Sequence, residues 1–145
     1  MSSYVEFYVE QGGTYINVGS YSRSNPMYQV LSDMVPYEKG RVLDEALFNE
    51  AEKEFEVVIK NYKDRVAELK NIINLVGTME GSIDEKIEAI EEKQSWVKEY
   101  EEDIEMYEAQ LMQFKTFYHI VDPYSNPEIK VWVGVEWNPN YKEDE

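Results

Sequence analysis

The chain has 145 residues, no cysteine, and 30 acids against 14 bases, a net charge of −16. That excludes disulfides, thiolate metal sites and thiol redox chemistry, and a surface this negative repels nucleic acid and anionic membranes while favouring basic partners. Hydrophobic residues make up 43% and aromatics 14%, enough for one domain spanning 1–145 with a real core.

The N-terminus lacks the basic and apolar regions of a secretory signal, and no apolar run reaches the roughly 18 residues of a membrane span. The expectation is a cytoplasmic protein. Residues 4–21 predict a β-hairpin. Val5, Phe7 and Val9 alternate with Glu6, Tyr8 and Glu10, Gln11-Gly12-Gly13 makes the turn, and the return strand turns Ile16 and Val18 inward. Ser24-Asn25-Pro26 reads as an N-cap followed by proline at the first helical position, opening a short helix over 26–35 that stops before Pro36.

Two long heptad-patterned segments follow, over 41–77 and 82–121. The first carries Phe55, Val58, Tyr62, Val66, Leu69, Ile73 and Val76. The second answers with Val97, Tyr100, Ile104, Tyr107, Leu111, Phe114, Tyr118 and Val121, in alternating steps of three and four that keep one helical seam facing a partner. Gly77 suits a helix C-terminal cap, and Ser82-Ile83-Asp84-Glu85 is a capping-box start. A break this short returns the chain antiparallel. Arms of this length would reach roughly 50 Å, so the tip around 77–87 is expected to project from a small α+β body. Homodimerisation along exposed seam positions would accompany such an element.

Asp122-Pro123-Tyr124-Ser125-Asn126-Pro127 is dense in turn formers. A strand over 128–137 comes next, with Ile129, Val131, Val133, Val135 and Trp137 facing one way, and 138–145 reads as an acidic tail. The predicted fold is α+β: a long antiparallel coiled-coil hairpin packed at its base on a three-stranded antiparallel sheet. Leu43, Leu47, Phe48, Phe114, Phe117 and Tyr118 would form the contact.

Catalytic constellations are missing. The single histidine, His119, sits among apolar neighbours and reads as a helix-end residue. There is no phosphate-cradling loop, no nucleophile elbow, and no second histidine for a zinc pair. Glu101, Glu102, Asp103 and Glu105 could offer oxygens to a hard cation, but consecutive helical residues diverge and no calcium-loop spacing is present. We therefore expect no catalytic residue, no cofactor and no resident metal. The chain is read as not an enzyme.

The distinctive chemistry is acid density. Between Ser82 and Thr116 there are 11 acids against four lysines, and from Glu99 to Glu108 six acids and no base. That is one charge per roughly 2.3 Å of helix axis, against about 1.7 Å for duplex DNA. The first arm instead interleaves both signs, as helices do to gain i,i+4 pairs. Glu91, Glu92, Glu99, Glu101, Glu102, Asp103, Glu105 and Glu108 are therefore candidate partner-binding residues; the plainer alternative is a solvated face. Tyr8, Tyr15, Tyr21 and Trp132 are the second candidate set. They are expected on the outer sheet face, either as an exposed protein interface or, if the short helix covers that face, as a second core.

No motif here identifies a family. In bulk properties the chain resembles small phage-encoded inhibitors and DNA mimics, anti-CRISPR proteins included: short, acidic, cysteine-free, aromatic-rich and without catalytic motifs. The resemblance implies an inhibitor that blocks a basic, nucleic-acid-handling host or defence protein, without binding nucleic acid or membrane itself. The competing expectation is a structural or adaptor coiled-coil module for oligomerisation or complex assembly.

Overall fold

The computed structural model describes residues 2–120, 128–135 and 137. In chain order the elements are β1 (Tyr4–Gln11), β2 (Thr14–Ser22), α1 (Pro26–Leu31), β3 (Arg41–Val42), α2 (Glu45–Val76), α3 (Ile83–Ile120) and β4 (Ile129–Gly134). The fold is α+β, with two long helices packed together and an antiparallel sheet. Val121, the turn-rich segment 122–127 and the acidic tail 138–145 lie outside the described residues. Contacts group the chain into two compact units, one of residues 1–55 with 109–145 and one of residues 56–108.

In the first unit the sheet has four strands in the order β2-β1-β4-β3, not three. The extra strand is Arg41–Val42, which pairs with Lys130 and Val131 of β4 where the sequence had suggested the start of the first long helix. The reason is local. Glu38 and Gly40 adopt positive φ, and Leu43 donates its N–H to the Ile129 carbonyl at 2.8 Å, holding this stretch extended along β4. Helix α2 begins only after Asp44, whose carboxylate accepts the Leu47 N–H at 2.8 Å as an N-cap. Helix α1 has the expected cap, with the Asn25 side chain accepting from the Met27 N–H at 2.8 Å. It ends at Leu31, earlier than the 35 expected, because the chain tightens into turns in which Met34 and Val35 both donate to the Leu31 carbonyl.

Gly40 is a position that only glycine fits. Its φ is +75°, and a Cβ there would sit 2.9 Å from the Val131 carbonyl oxygen. Gly13, at φ +80°, has open space around it. Gly40→Ala should therefore cost about 2 kcal/mol or more, whereas Gly13→Ala should cost only about 1 kcal/mol for its dihedral. Equal losses in thermal melts of the two variants would show that β4 does not press on the Gly40 turn.

One sheet face forms the core of this unit. Val5, Phe7, Ile129, Val131 and Val133 are fully buried, as are Met27, Leu31, Leu47, Ala51, Phe55 and Phe114. Phe7 stacks on Phe117 at 4.6 Å, and Phe114 meets Phe7, Phe48 and Phe55 at 5.7–6.4 Å. Strand β2 departs from simple alternation. A bulge between Phe7 and Tyr8 pairs them with Gly19 and Asn17 and leaves Val18 between. Val18 and Ile16, expected inward, are exposed.

In the second unit α2 and α3 pair along the expected seam. Val66, Leu69 and Val97 form its core, with Ile73, Tyr100 and Ile104 packed against them. Tyr62 lies 5.7 Å from Tyr100 and 5.6 Å from Tyr107. Two ion pairs flank the seam, Lys63–Glu108 at 3.1 Å and Lys70–Glu101 at 3.3 Å. Each contributes little, ~0.2–1 kcal/mol, because all four side chains are half in water. Burial of the apolar seam is the larger effect. At the turn, Ser82 caps α3 by accepting the Glu85 N–H at 3.2 Å.

Candidate functional site: an acidic helix face and an aromatic sheet face

The candidate acids do not behave alike. Helical steps of 100° place Glu91, Glu99, Glu102 and Glu105 on the side of α3 away from its seam, and all four are exposed. Glu92 is exposed and Asp103 half-buried on the flank. Glu101 and Glu108 lie beside the seam, where Lys70 and Lys63 of α2 neutralise them. Of the six acids between Glu99 and Glu108, Glu99, Glu102, Asp103 and Glu105 thus have no ion-pair partner among the described residues. What remains is four uncompensated carboxylates within seven residues, about 9 Å of helix axis, with Glu99, Glu102 and Glu105 along the outer side and Asp103 on the flank.

The outer sheet face holds Tyr8, Tyr15 and Trp132 together, around a residue assigned to the other face by sequence. Trp137 was expected to continue the Val131–Val133 alternation. Instead β4 stops at Gly134, whose φ of +153° suits only glycine, and the chain bends at Val135. Trp132 donates its indole N–H to the Val135 carbonyl at 2.7 Å, and Trp137 folds back to stack on Trp132 at 5.1 Å. Tyr8 meets the Trp137 ring at 4.9 Å and donates to its carbonyl at 2.7 Å, while Tyr15 lies at 5.4 Å. The Lys130 ammonium sits over the same ring at 5.2 Å.

Beneath these rings lies Glu6, only 2% exposed. Its carboxylate accepts from the Asn17 amide at 2.9 Å, the Ser20 hydroxyl at 3.0 Å and the Trp137 N–H at 3.1 Å, so its burial is compensated by hydrogen bonds rather than by a cation. With Tyr8 4% exposed, this face is largely a second small core. Its cover comes from Trp137.

Tyr21 belongs elsewhere. Expected beside Tyr8 and Tyr15, it lies on the inner face, edge-on to Phe7 at 5.8 Å, because the bulge at Val18 shifts the phase of β2. Burial holds its phenol above the ordinary value, and it donates to the Gln113 amide oxygen at 2.7 Å. It borders an open groove of about 490 Å³ lined also by Val18, Met112, Gln113, Thr116 and Phe117.

Among the described residues no three histidine or carboxylate side chains converge as a metal-ligand set, and no helix is long and apolar enough to cross a membrane. No protein-family model matches the sequence, and no curated protein or solved structure matches it significantly. Sequence reasoning missed three parts of these sites: Glu6, Lys130, and the lysines that single out Glu101 and Glu108. Gly134 was the one readable warning that the alternation would not reach Trp137.

Proposed function

We propose that this chain is a non-enzymatic acidic binding protein of the inhibitor type, which blocks a basic, nucleic-acid-handling protein by presenting the acidic face of α3. The phage-encoded, host- or defence-directed role implied by its bulk resemblance, anti-CRISPR activity included, is part of this reading. The observation that carries it is the unpaired outer stripe Glu99, Glu102 and Glu105, with Asp103 unpaired on its flank. A solvated helix gains a few tenths of a kcal/mol from each i,i+4 pair of opposite charge. This stretch forgoes that gain where α2, with Lys60–Asp64 and Arg65–Glu68, takes it. The resulting local field attracts a cationic groove and speeds encounter with it.

The test begins with capture from a host lysate at low and high salt. A basic nucleic-acid enzyme lost at high salt supports the proposal. The captured protein then meets a variant carrying Glu99→Gln, Glu102→Gln, Asp103→Asn and Glu105→Gln. Relief of like-charge repulsion should leave melting unchanged or slightly raised, while association slows about tenfold at low salt and its salt dependence flattens. Single changes should be nearly silent. Unaltered association rate and salt slope in the fourfold variant would reduce these acids to a solvated face.

The alternative is a structural or adaptor module that uses the paired helices for oligomerisation or assembly. Trp96 and Met106, exposed on α3 outside the seam, favour it. It predicts a salt-resistant self-assembly or structural partner in the same capture.

A further inference from the structure

The turn between α2 and α3 and the helix ends beside it carry Leu75, Met79, Ile83 and Ile87, each 48–75% exposed, within 13 consecutive residues. Loops are normally polar there, since exposed apolar side chains promote association. The backbone that carries them is held. Thr78 donates both its N–H and its hydroxyl to the Leu75 carbonyl, at 3.0 and 2.8 Å, and Met79 donates to the Val76 carbonyl at 3.2 Å. Val76 is buried beneath them, and Ser82 caps the next helix through the Glu85 N–H. The backbone of the tip is therefore pre-organised, so little backbone ordering entropy would be lost when it is covered.

Charge decides what can cover it. Glu80, Asp84, Glu85 and Glu88 are all exposed around these side chains, with Lys86 the one base between residues 71 and 92. A second copy would set acid against acid, and an anionic lipid surface or nucleic acid is repelled in the same way. Ile83 and Ile87, at i and i+4, form a ridge on α3 with Asp84 and Glu88 along one flank and Lys86 on the other. The complement of an apolar ridge in a net acidic surround is an apolar stripe in a net basic one. We propose that the hairpin tip is an interaction surface for a basic amphipathic helix of the partner, with Met79 and Ile83 as its anchoring contacts. This rests on the reading of the chain as a binder of a basic protein, and it adds an apolar contact that does not use the α3 stripe.

The test uses synthetic probes. A labelled 18-residue leucine–lysine peptide of amphipathic helical pattern is compared by fluorescence anisotropy with a serine–lysine peptide of equal charge. Binding is measured to the parent chain, to a Met79→Ser/Ile83→Ser variant, and to the fourfold α3 variant. The parent should prefer the leucine–lysine peptide by at least about tenfold, the effect of burying one aliphatic side chain. The tip variant should lose that preference while melting like the parent, since both side chains are exposed. The fourfold variant should keep the preference, so failure of the stripe and failure of the tip are read separately. Equal binding of the two peptides to the parent would overturn the proposal, as would undiminished preference in the tip variant. A parent dimer abolished by the tip substitutions would also overturn it, by identifying a second copy as the occupant.

Discussion

A chain cut after residue 127 should lose the cooperative fold of its sheet unit. Strand β4 lies between β1 and β3, pairing Tyr4–Val9 on one side and Arg41–Val42 on the other. Its removal withdraws Ile129, Val131 and Val133, each at most 1% exposed, from the face that carries Val5 and Phe7. Three such side chains represent roughly 5–9 kcal/mol of burial, comparable with the whole stability of an ordinary domain, about 5–15 kcal/mol. The outer face loses as much in kind. Trp132 and Trp137 leave with the strand, so the Tyr8 ring loses its Trp137 contact and one oxygen of Glu6 loses the Trp137 N–H. Near-ultraviolet circular dichroism and dye binding should report lost tertiary packing and exposed apolar surface. A truncated chain with the parent's cooperative melt would show that β4 is an appendage.

Placing a charge in the seam should be nearly as damaging. Leu69 is 1% exposed and packs with Val66 and Val97. Leu69→Asp removes about 2 kcal/mol of apolar burial and sets a carboxylate where the adjoining seam contacts are apolar, for a total of about 4–5 kcal/mol. Ile104→Asp should cost less, because Ile104 is only partly buried. Leu75→Asp, on an exposed side chain, is the control and should stay within about 0.5 kcal/mol. Denaturant titrations of the three variants should rank Leu69, Ile104, Leu75. If Leu69→Asp unfolds at the parent's midpoint, the seam is not what holds this unit.

Much of this was fixed by spacing along one chain. From Phe55 to Val76 and from Val97 to Tyr118, every residue assigned to the helical seam is buried or half-buried. Helical phase is a local property, set by 3.6 residues per turn and carried without error through many turns. The caps at Asn25 and Ser82 are equally local, since each needs only a side-chain oxygen two or three residues before an N–H. Strand phase is more fragile, because a period of two is inverted by one inserted residue. The bulge at Val18 turned Tyr21 inward, and Gly134 ended β4 before Trp137, folding that ring over the opposite face. Arg41–Val42 carries no pattern of its own and becomes a strand only because β4, nearly ninety residues away in sequence, offers an edge. The sequence likewise displayed the acids of α3 as a uniform run. Only the packing of α2 against α3 brought Lys63 and Lys70 to two of them, leaving Glu99, Glu102, Asp103 and Glu105 unpaired, because an ion pair depends on distance in space and not along the chain.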